Sequence, residues 1–297
     1  MSQTLENHVP SAVIDAGSRW QGWLQVAGLA VLLGVLYHRV FAQLAVQWWT
    51  DANYSHGFLV PFFCGWLIWR QRKKLSNIPK APTSAGLFVI VGALGILVLG
   101  VLGAENFLAR TSLLFLVAGL VIDFCGWHYF RALIFPWAVL FLMVPLPAIL
   151  FNQVALPLQF LASRLASGLL ELVGVPVLRE GNVINLPSLS LDVAEACSGL
   201  RSLFSLITLS VFYGCVFESR VSRRLLLVLS SVPIAVAANG IRIAGSGILG
   251  QYWDPSKAEG FYHLLSGWLI FVLCLGLLML FHAILRLTGP RAQSRHV

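Results

Sequence analysis

The chain alternates between long apolar blocks and short polar connections, and this pattern predicts its main elements. Blocks of about 17 to 22 apolar residues match the length that a helix needs to cross the hydrocarbon layer of a bilayer. The second block is short and contains Pro61, so a kinked or re-entrant segment is the alternative there. The blocks predict eight spanning helices, over residues 20–40, 54–69, 85–103, 107–124, 132–150, 200–217, 225–243 and 264–285.

Residues 152–173 have a helical pattern of a different kind, in which polar residues recur three to four positions apart. This pattern predicts an amphipathic helix that lies in the membrane interface. The polar positions are Asn152, Gln159, Ser163, Ser167 and Glu171, opposite Phe160, Leu161, Leu165, Leu169 and Leu172.

The positions of the basic residues favour this interfacial placement over a ninth crossing. With eight spans, most of the Lys and Arg residues, including the cluster from Arg220 to Arg224, lie on the inner side. A ninth crossing would move that cluster outside and leave Arg164 within the bilayer, at a cost of about 2.5 to 3.5 kcal/mol. We therefore predict that both termini are cytoplasmic, as tails of residues 1–19 and 287–297.

The stretch from residue 175 to residue 197 has neither helical pattern. Apolar and polar residues alternate near its end, and turn residues interrupt it, which predicts short strands. In the predicted topology these strands lie over the outer mouth of the helix bundle, within an extracytoplasmic segment of residues 152–196. The turn residues are Gly181, Asn182, Pro187 and Ser188.

Composition agrees with a membrane protein: of 297 residues, 58% are hydrophobic and 11% are charged, and the mean hydropathy is +0.82. A soluble domain of this length cannot bury so much apolar surface, which excludes soluble enzymes, zinc fingers and disordered tails. The net charge of +8 lies in short clusters between the apolar blocks, as topology signals do, so we predict no nucleic-acid partner. The predicted fold class is an all-α integral membrane protein that forms one polytopic domain over residues 1–297.

Signatures of several other chemistries are absent from the sequence. It contains no HExxH motif, no P-loop, no Rossmann glycine pattern and no cysteine pair at metal-binding spacing. We therefore predict neither a metal nor a cofactor.

Of the five cysteines, only Cys197 is predicted to face the outer side. The other four lie within apolar blocks or near their inner ends, where cysteine is a small apolar filler. Cys197 stands where the strand-like stretch meets the next helix, and unpaired N–H groups at a helix start lower the pKa of a thiol. Glu195 opposes that shift. The position favours a reactive thiolate.

Two arginines are candidates to assist this thiol. Arg201 follows Cys197 by four residues, and Arg242 lies near the outer end of a later span, three residues after Asn239 and on the same helical face. A guanidinium can stabilise an oxyanion or bind a carboxylate or phosphate. For Arg242, the alternative interpretation is an interfacial arginine that extends outward into water.

Among the seven histidines, His263 is the best placed for proton transfer, because it opens the last span on the same outer face. Imidazole titrates near pH 7, as the partner of a nucleophilic thiol requires. A lone interfacial histidine is more often an anchor, and His56 in the first outer loop is the competing candidate.

These residues resemble the exosortase family. The resemblance rests on NYSHGFLVP after the first span, EACSGLRSL at an outer helix start, NGIR near the end of the following span and FYH at the start of the last. It implies a cysteine transpeptidase or protease of the bacterial inner membrane, with a site that faces the periplasm. It further implies substrates with a C-terminal Pro-Glu-Pro motif, a transmembrane helix and a basic tail, and a link to exopolysaccharide or surface assembly.

The resemblance implies Cys197 as the nucleophile, with Arg242 and His263 completing the site. We expect an outer arginine, Arg201 first, to bind the acidic residue of the substrate motif, and a structural role in the cysteine loop is the alternative. The predicted substrate-binding or supporting residues are Arg201, Asn239, Glu195, Tyr54 and His56.

Two matters stay open at the level of sequence. The acceptor of the cleaved substrate is water, a lipid, a sugar polymer or a protein amine. A function of another class is a non-enzymatic membrane component of polysaccharide assembly or export, whose outer arginines bind lipid-linked phosphates. That alternative predicts that replacing Cys197 has no effect.

Overall fold

A computed structural model describes residues 11–193, 199–253 and 261–288, and helices dominate it. Short 3₁₀ helices, Ser55–Phe58 and Leu140–Met143, precede α2 and follow α6. The predicted all-α membrane fold class is confirmed. The helices are α1 (Ser11–Thr50), α2 (Leu59–Arg70), α3 (Arg72–Ser76), α4 (Ala85–Leu102), α5 (Asn106–Cys125), α6 (Trp127–Val139), α7 (Ala148–Leu172), α8 (Gly199–Phe217), α9 (Val221–Tyr252) and α10 (Phe261–Thr288).

The chain divides into two compact units, Met1–Val46 and Gln47–Val297. The first unit contains most of α1. The second contains all the residues that were predicted to form or support a site. The single polytopic domain stays a prediction.

Every predicted block overlaps a helix, although not every helix is long and apolar enough to cross a membrane by itself. A further crossing results if the bent pair Trp127–Met143 and Ala148–Leu172 forms one span, and α8 contains a shorter apolar stretch, Arg201–Phe217. The number of eight crossings stays a prediction. Among the described residues, the five helices that meet both conditions are Ala27–Thr50, Ala85–Leu102, Asn106–Cys125, Val221–Tyr252 and Gly267–Leu287.

The second predicted span is shorter than expected. Helix α2 begins at Leu59 and has 12 residues, against about 20 for a full crossing. Pro61 lies in the first turn of this helix, where an N–H group has no intrahelical partner to lose, so the proline is accommodated there. The prediction of one helix over residues 54–69 was therefore wrong at its start.

The fifth predicted helix was wrong at its end. The helical path from α6 stops at Met143, and Pro145 and Pro147 follow. Proline lacks a backbone donor and restricts the residue before it, so the helix breaks here. Helix α7 then starts at Ala148, and the two helical segments meet at a bend of 81°.

Helix α7 has the two faces that its sequence predicts, but the small polar residues face the protein. Ser163 and Ser167 are buried, whereas Phe160 and Leu161 are 46% and 47% exposed. In a membrane protein, apolar side chains on the outside contact lipid, so a helix with its apolar face outward and its small polar residues inward is stable. The interfacial placement of the helix stays a prediction.

Small residues allow α7 and α9 to approach closely. A Cβ atom added at Gly240 would lie 3.0 Å from the Cβ of Leu165, and one at Gly247 would lie 3.2 Å from a methyl group of Leu170. Because both residue numbers increase together along the contact, the two helices run in the same direction.

Three short strands follow α7, as the alternating pattern predicts. They are β1 (Leu178–Glu180), β2 (Val183–Asn185) and β3 (Ser190–Asp192), in an antiparallel sheet of order β1-β2-β3. Gly181 has φ +66° and is the first of two residues in the turn between β1 and β2, a position that favours glycine.

The turn between β2 and β3 docks the sheet on the end of α9. The hydroxyl of Ser188 donates to the side-chain oxygen of Gln251 at 2.6 Å. A Cβ atom at Gly250 would lie 2.7 Å from a methyl group of Leu189, so a larger residue there would displace that side chain. The sheet therefore lies at the end of α9 that precedes residues 254–260.

A buried polar cluster joins α8, α9 and α10 at their other ends. The Glu218 carboxylate, 6% exposed, accepts the N–H groups of Ser219 at 2.9 Å and Arg220 at 3.1 Å. Arg223 Nη1 and His282 Nε2 lie 3.4 and 3.5 Å from Glu218 Oε2. Burial by itself raises the pKa of Glu218, but these donors outweigh burial and lower the pKa to about 2.

We expect Glu218→Gln to lower the free energy of unfolding at pH 7 by about 3 kcal/mol. This energy corresponds to the difference of about 2.5 between the ordinary pKa of a glutamate, 4.5, and the pKa of Glu218 in the folded protein, about 2. A carboxyl whose folded pKa lies below its unfolded value stabilises the fold above the unfolded pKa. That stability is lost as the pH falls toward the folded pKa, so the difference between the two proteins should vanish between about pH 5 and pH 2.

Thermal unfolding in detergent across this pH range tests the expectation. Glu171→Gln is the matched control, because Glu171 is exposed on α7. A constant difference between wild type and Glu218→Gln at every pH would contradict the assigned role of the carboxylate.

Candidate functional site

The predicted nucleophile lies between β3 and α8. Cys197 and Glu195 belong to residues 194–198, outside the described residues. His263 lies in the first turn of α10, where the helix is described and the side chain is outside the described part. The structure therefore describes the frame around these residues, formed by the ends of β3, α8, α9 and α10.

The heights of the three helices can be compared through two contacts near their other ends. A Cβ atom at Gly214 of α8 would lie 3.6 Å from the Cβ of Arg224 on α9. Gly199 lies fifteen residues from Gly214, and Asn239 lies fifteen residues from Arg224. At about 1.5 Å per residue, the start of α8 is therefore level with Asn239 and within about one turn of Arg242.

The same comparison relates α8 to α10. The Tyr213 hydroxyl lies 2.8 Å from His282 Nδ1. Fourteen residues separate Gly199 from Tyr213 and Trp268 from His282, so the start of α8 is level with about residue 268 of α10. His263 lies five residues before Trp268, about 7.5 Å further toward the sheet side.

The two candidate arginines have different surroundings. Arg242 is 5% exposed and Asn239 is 7% exposed, so the structure does not show the alternative in which Arg242 extends into water. Neither of these two side chains is without a partner. Arg201, in the first turn of α8, is exposed.

Tyr54 and His56 lie in the turn before α2 and contact the segment that follows α6. The buried Tyr54 hydroxyl accepts the N–H of Leu146 at 3.3 Å, and His56 Nε2 lies 3.2 Å from the carbonyl oxygen of Leu142. Since a carbonyl only accepts, Nε2 carries the proton in this contact, and Nδ1 holds the lone pair of a neutral ring. Burial lowers the pKa of His56, and the Leu142 hydrogen bond partly opposes that change.

Tyr54 also connects this turn to α8. The ring centroid of Tyr54 lies 5.9 Å from that of Phe204 on α8. The ring centroid of Phe151, on α7, also lies 5.9 Å from that of Phe204. Phe204 follows Gly199 by five residues, which is about 7.5 Å along the helix. The predicted supporting residue Tyr54 thus lies close to the part of α8 that follows Cys197, whereas no described contact joins His56 to α8.

A cavity of about 440 Å³ opens beside Tyr54, and we call it the Tyr54 cavity. Its size falls within the range of about 300 to 1,000 Å³ that is typical of ligand pockets. Its lining combines polar and apolar side chains from three parts of the chain. The residues that line it are Gln47, Asp51, Asn53, Tyr54, Ala104, Glu105, Asn106, Phe107, Arg110, Pro145, Leu146, Pro147, Ala148 and Phe151.

Sequence reasoning missed Arg110 as a candidate. This arginine lies in the second turn of α5, is 5% exposed, and has a buried Nε atom with no hydrogen-bond partner in the described part of the chain. The available signal was an arginine within a predicted span, which marks a functional position in many membrane proteins. Among the described residues, no group of three or more His, Cys, Asp or Glu side chains could hold a metal ion.

A comparison with models of known protein families gives a match over most of the chain. A family model described as transmembrane exosortase matches residues 48–280. No curated protein and no solved structure matches the chain. The matched range includes Tyr54, Arg110, Cys197, Arg242 and His263.

Proposed function

The chain belongs to the transmembrane exosortase family, and from this premise we propose that it cleaves C-terminal sorting signals through Cys197, Arg242 and His263. The family is one of membrane cysteine transpeptidases and proteases that act on proteins with sorting signals, and the chain is a multi-pass membrane protein. The proposed substrates carry a Pro-Glu-Pro motif, a transmembrane helix and a basic tail.

The observation that carries this proposal is the common height of three helix positions. The buried Arg242 lies within about one turn of the level of Gly199, and the chain allows Cys197 to lie no more than about 7 Å from Gly199. His263 opens α10 at a similar height. These heights support a site in which a nucleophile, a fixed cation and an imidazole act on one peptide bond, as acyl transfer by a cysteine requires.

In the proposed reaction, the His263 imidazole takes the proton of the Cys197 thiol. The thiolate then attacks the carbonyl carbon of the scissile bond, and negative charge develops on the carbonyl oxygen. The guanidinium of Arg242 stabilises that oxyanion. The carbon–nitrogen bond then breaks, and the departing amine takes a proton from the His263 imidazolium. The thioester that remains on Cys197 is attacked by an amine, a hydroxyl or water, which regenerates the thiol.

We propose that the site faces the outer side of the bacterial inner membrane. The basic residues Arg220, Arg223 and Arg224 lie where α8 and α9 join, at the end of α8 opposite Gly199. Basic residues of membrane proteins concentrate on the cytoplasmic side, which supports an outward position for the start of α8. The proposed link to exopolysaccharide or surface assembly rests on the family resemblance.

Two cations at this end of the molecule are suited to the acidic residue of the substrate motif. Arg201 is exposed beside the start of α8, and Arg110 is buried in the Tyr54 cavity. Asn239, Tyr54 and Glu195 are proposed as supporting residues.

Co-expression with a reporter tests the proposal. The reporter ends in a Pro-Glu-Pro motif, a transmembrane helix and a basic tail, and its intact mass is measured with and without the chain. We expect loss of the helix and tail only when the chain is present, and any added mass identifies the acceptor. An unchanged reporter, with the chain folded in the membrane, would favour the non-enzymatic alternative.

A further inference from the structure

We propose that Arg110 binds the carboxylate of an acidic side chain that enters the Tyr54 cavity as part of an extended peptide. This inference rests on the proposed function, since the peptide is the segment of the substrate beside the scissile bond. It assigns to Arg110 the recognition role that the sequence suggested for Arg201.

Arg110 forms no direct ion pair among the described residues, although the charge of Glu105 acts on its guanidinium from beyond 4.0 Å. Arg110 is only 5% exposed, and its Nε atom has no hydrogen-bond partner among the described residues. No carboxylate lies within 4.0 Å of its nitrogen atoms in the described part of the chain. A buried N–H donor without an acceptor is unfavourable, so a carboxylate oxygen of a ligand in the cavity would satisfy the Nε atom.

The two acidic residues that line the cavity each accept hydrogen bonds from residues close in sequence. Asp51 accepts hydrogen bonds from the backbone N–H and the side-chain amide of Asn53, both at 2.9 Å. Glu105 accepts the N–H of Phe107 at 3.1 Å and caps the start of α5. Each carboxylate is held by donors of its own, and neither lies within 4.0 Å of an Arg110 nitrogen, so the Arg110 fork is available to a carboxylate that enters the cavity.

The lining also favours a carboxylate over a phosphate. A doubly charged phosphate would be repelled by Asp51 and Glu105, whereas a single carboxylate carries half that charge. The side-chain amides of Gln47, Asn53 and Asn106 can donate to and accept from a peptide backbone. The apolar wall of the cavity suits the neighbours of the acidic residue, and it is formed by Phe107, Pro145, Leu146, Pro147 and Phe151.

The cavity lies close to the start of α8. Tyr54 and Phe151 line the cavity and both contact Phe204, about 7.5 Å along α8 from Gly199. An extended peptide advances about 3.3 Å per residue. An acidic residue held by Arg110 would therefore lie a few residues from a bond that reacts near the start of α8.

Peptide binding to the full chain tests this inference without any need for turnover. The chain, as Cys197→Ala in lipid nanodiscs, is titrated with a fluorescent peptide that contains Pro-Glu-Pro and with its Pro-Gln-Pro counterpart. We expect the Glu peptide to bind at least tenfold more tightly, a difference of about 1.4 kcal/mol. Equal affinities would overturn the inference, and this comparison needs no change at Arg110.

Variants then locate the discrimination. In Arg110→Gln the two peptides should bind with equal affinity, while Arg164→Gln, the same change at an exposed position of α7, should keep the tenfold difference. If Arg201→Gln abolishes the difference and Arg110→Gln preserves it, the recognition residue is Arg201 and the inference is wrong. Displacement of the Glu peptide by inorganic phosphate at concentrations where acetate has no effect would identify a phosphate site instead, which also overturns it.

The outcome is separable from that of the proposed function. A reporter that is never processed, together with retained discrimination between the two peptides, would refute the enzymatic proposal and support the cavity inference. Normal processing with equal peptide affinities would do the reverse.

Discussion

Replacement of Cys197 by alanine is expected to abolish removal of the C-terminal tail from the reporter. An enzyme that loses its covalent nucleophile commonly loses of the order of 10⁴- to 10⁶-fold in rate, because the thioester can no longer form. The measurement is the time course of the reporter's intact mass, with wild type and variant present in equal amounts in the membrane.

The other cysteines supply the control for this experiment. Cys64, Cys215 and Cys274 are buried free thiols, and Cys125 is a partly exposed free thiol at the end of α5. Cys125→Ala makes the same chemical change on the side of the molecule away from the sheet, and we expect wild-type turnover. Full processing by Cys197→Ala would show that Cys197 is not the nucleophile of this reaction.

The helices of the second unit were largely predictable, because each depends on local composition. The apolar blocks that became α4 and α5 were located to within two residues at each end. The strands β1 to β3 followed from alternation and from turn residues such as Gly181. In these segments the spacing of apolar residues along the sequence determines the secondary structure.

The local sequence pattern of α7 does not determine which of its two faces packs against the protein. The spacing of Ser163 and Ser167 predicts an amphipathic helix whether its polar side meets water or protein. In a bilayer the apolar side is stable toward lipid, and the small polar residues then fit against α9 at Gly240 and Gly247. Which arrangement forms depends on a partner helix about 75 residues later in the chain, and no local pattern contains that information.

The polar clusters were unpredictable for the same reason. Glu218 and His282 lie 64 residues apart in the sequence, and only the packing of α8, α9 and α10 brings them together. The Tyr54 cavity combines the turn before α2, the start of α5 and the segment after α6. Arg110 was visible as an arginine in an apolar run, but the cavity that it lines was not.

Arg242→Lys provides the sharpest test of how the site works. Lysine keeps the positive charge but lacks the planar fork of N–H donors, and the buried position of Arg242 leaves little freedom for a compact ammonium group to compensate. Loss of one preorganised oxyanion donor commonly lowers kcat by about 10²- to 10³-fold. We expect a decrease of that size in reporter processing.

The division between kcat and KM distinguishes oxyanion stabilisation from two other roles. An interaction made only in the transition state lowers kcat and leaves KM near its wild-type value, whereas an arginine that only binds substrate raises KM. An arginine needed only for folding would lower the amount of folded protein, which thermal unfolding of the purified variant reveals. Arg164→Lys, at an exposed position of α7, is the matched control and should leave both kinetic constants unchanged. If Arg242→Lys retains wild-type kcat, Arg242 does not stabilise the oxyanion, and the height that it shares with the start of α8 has a structural cause.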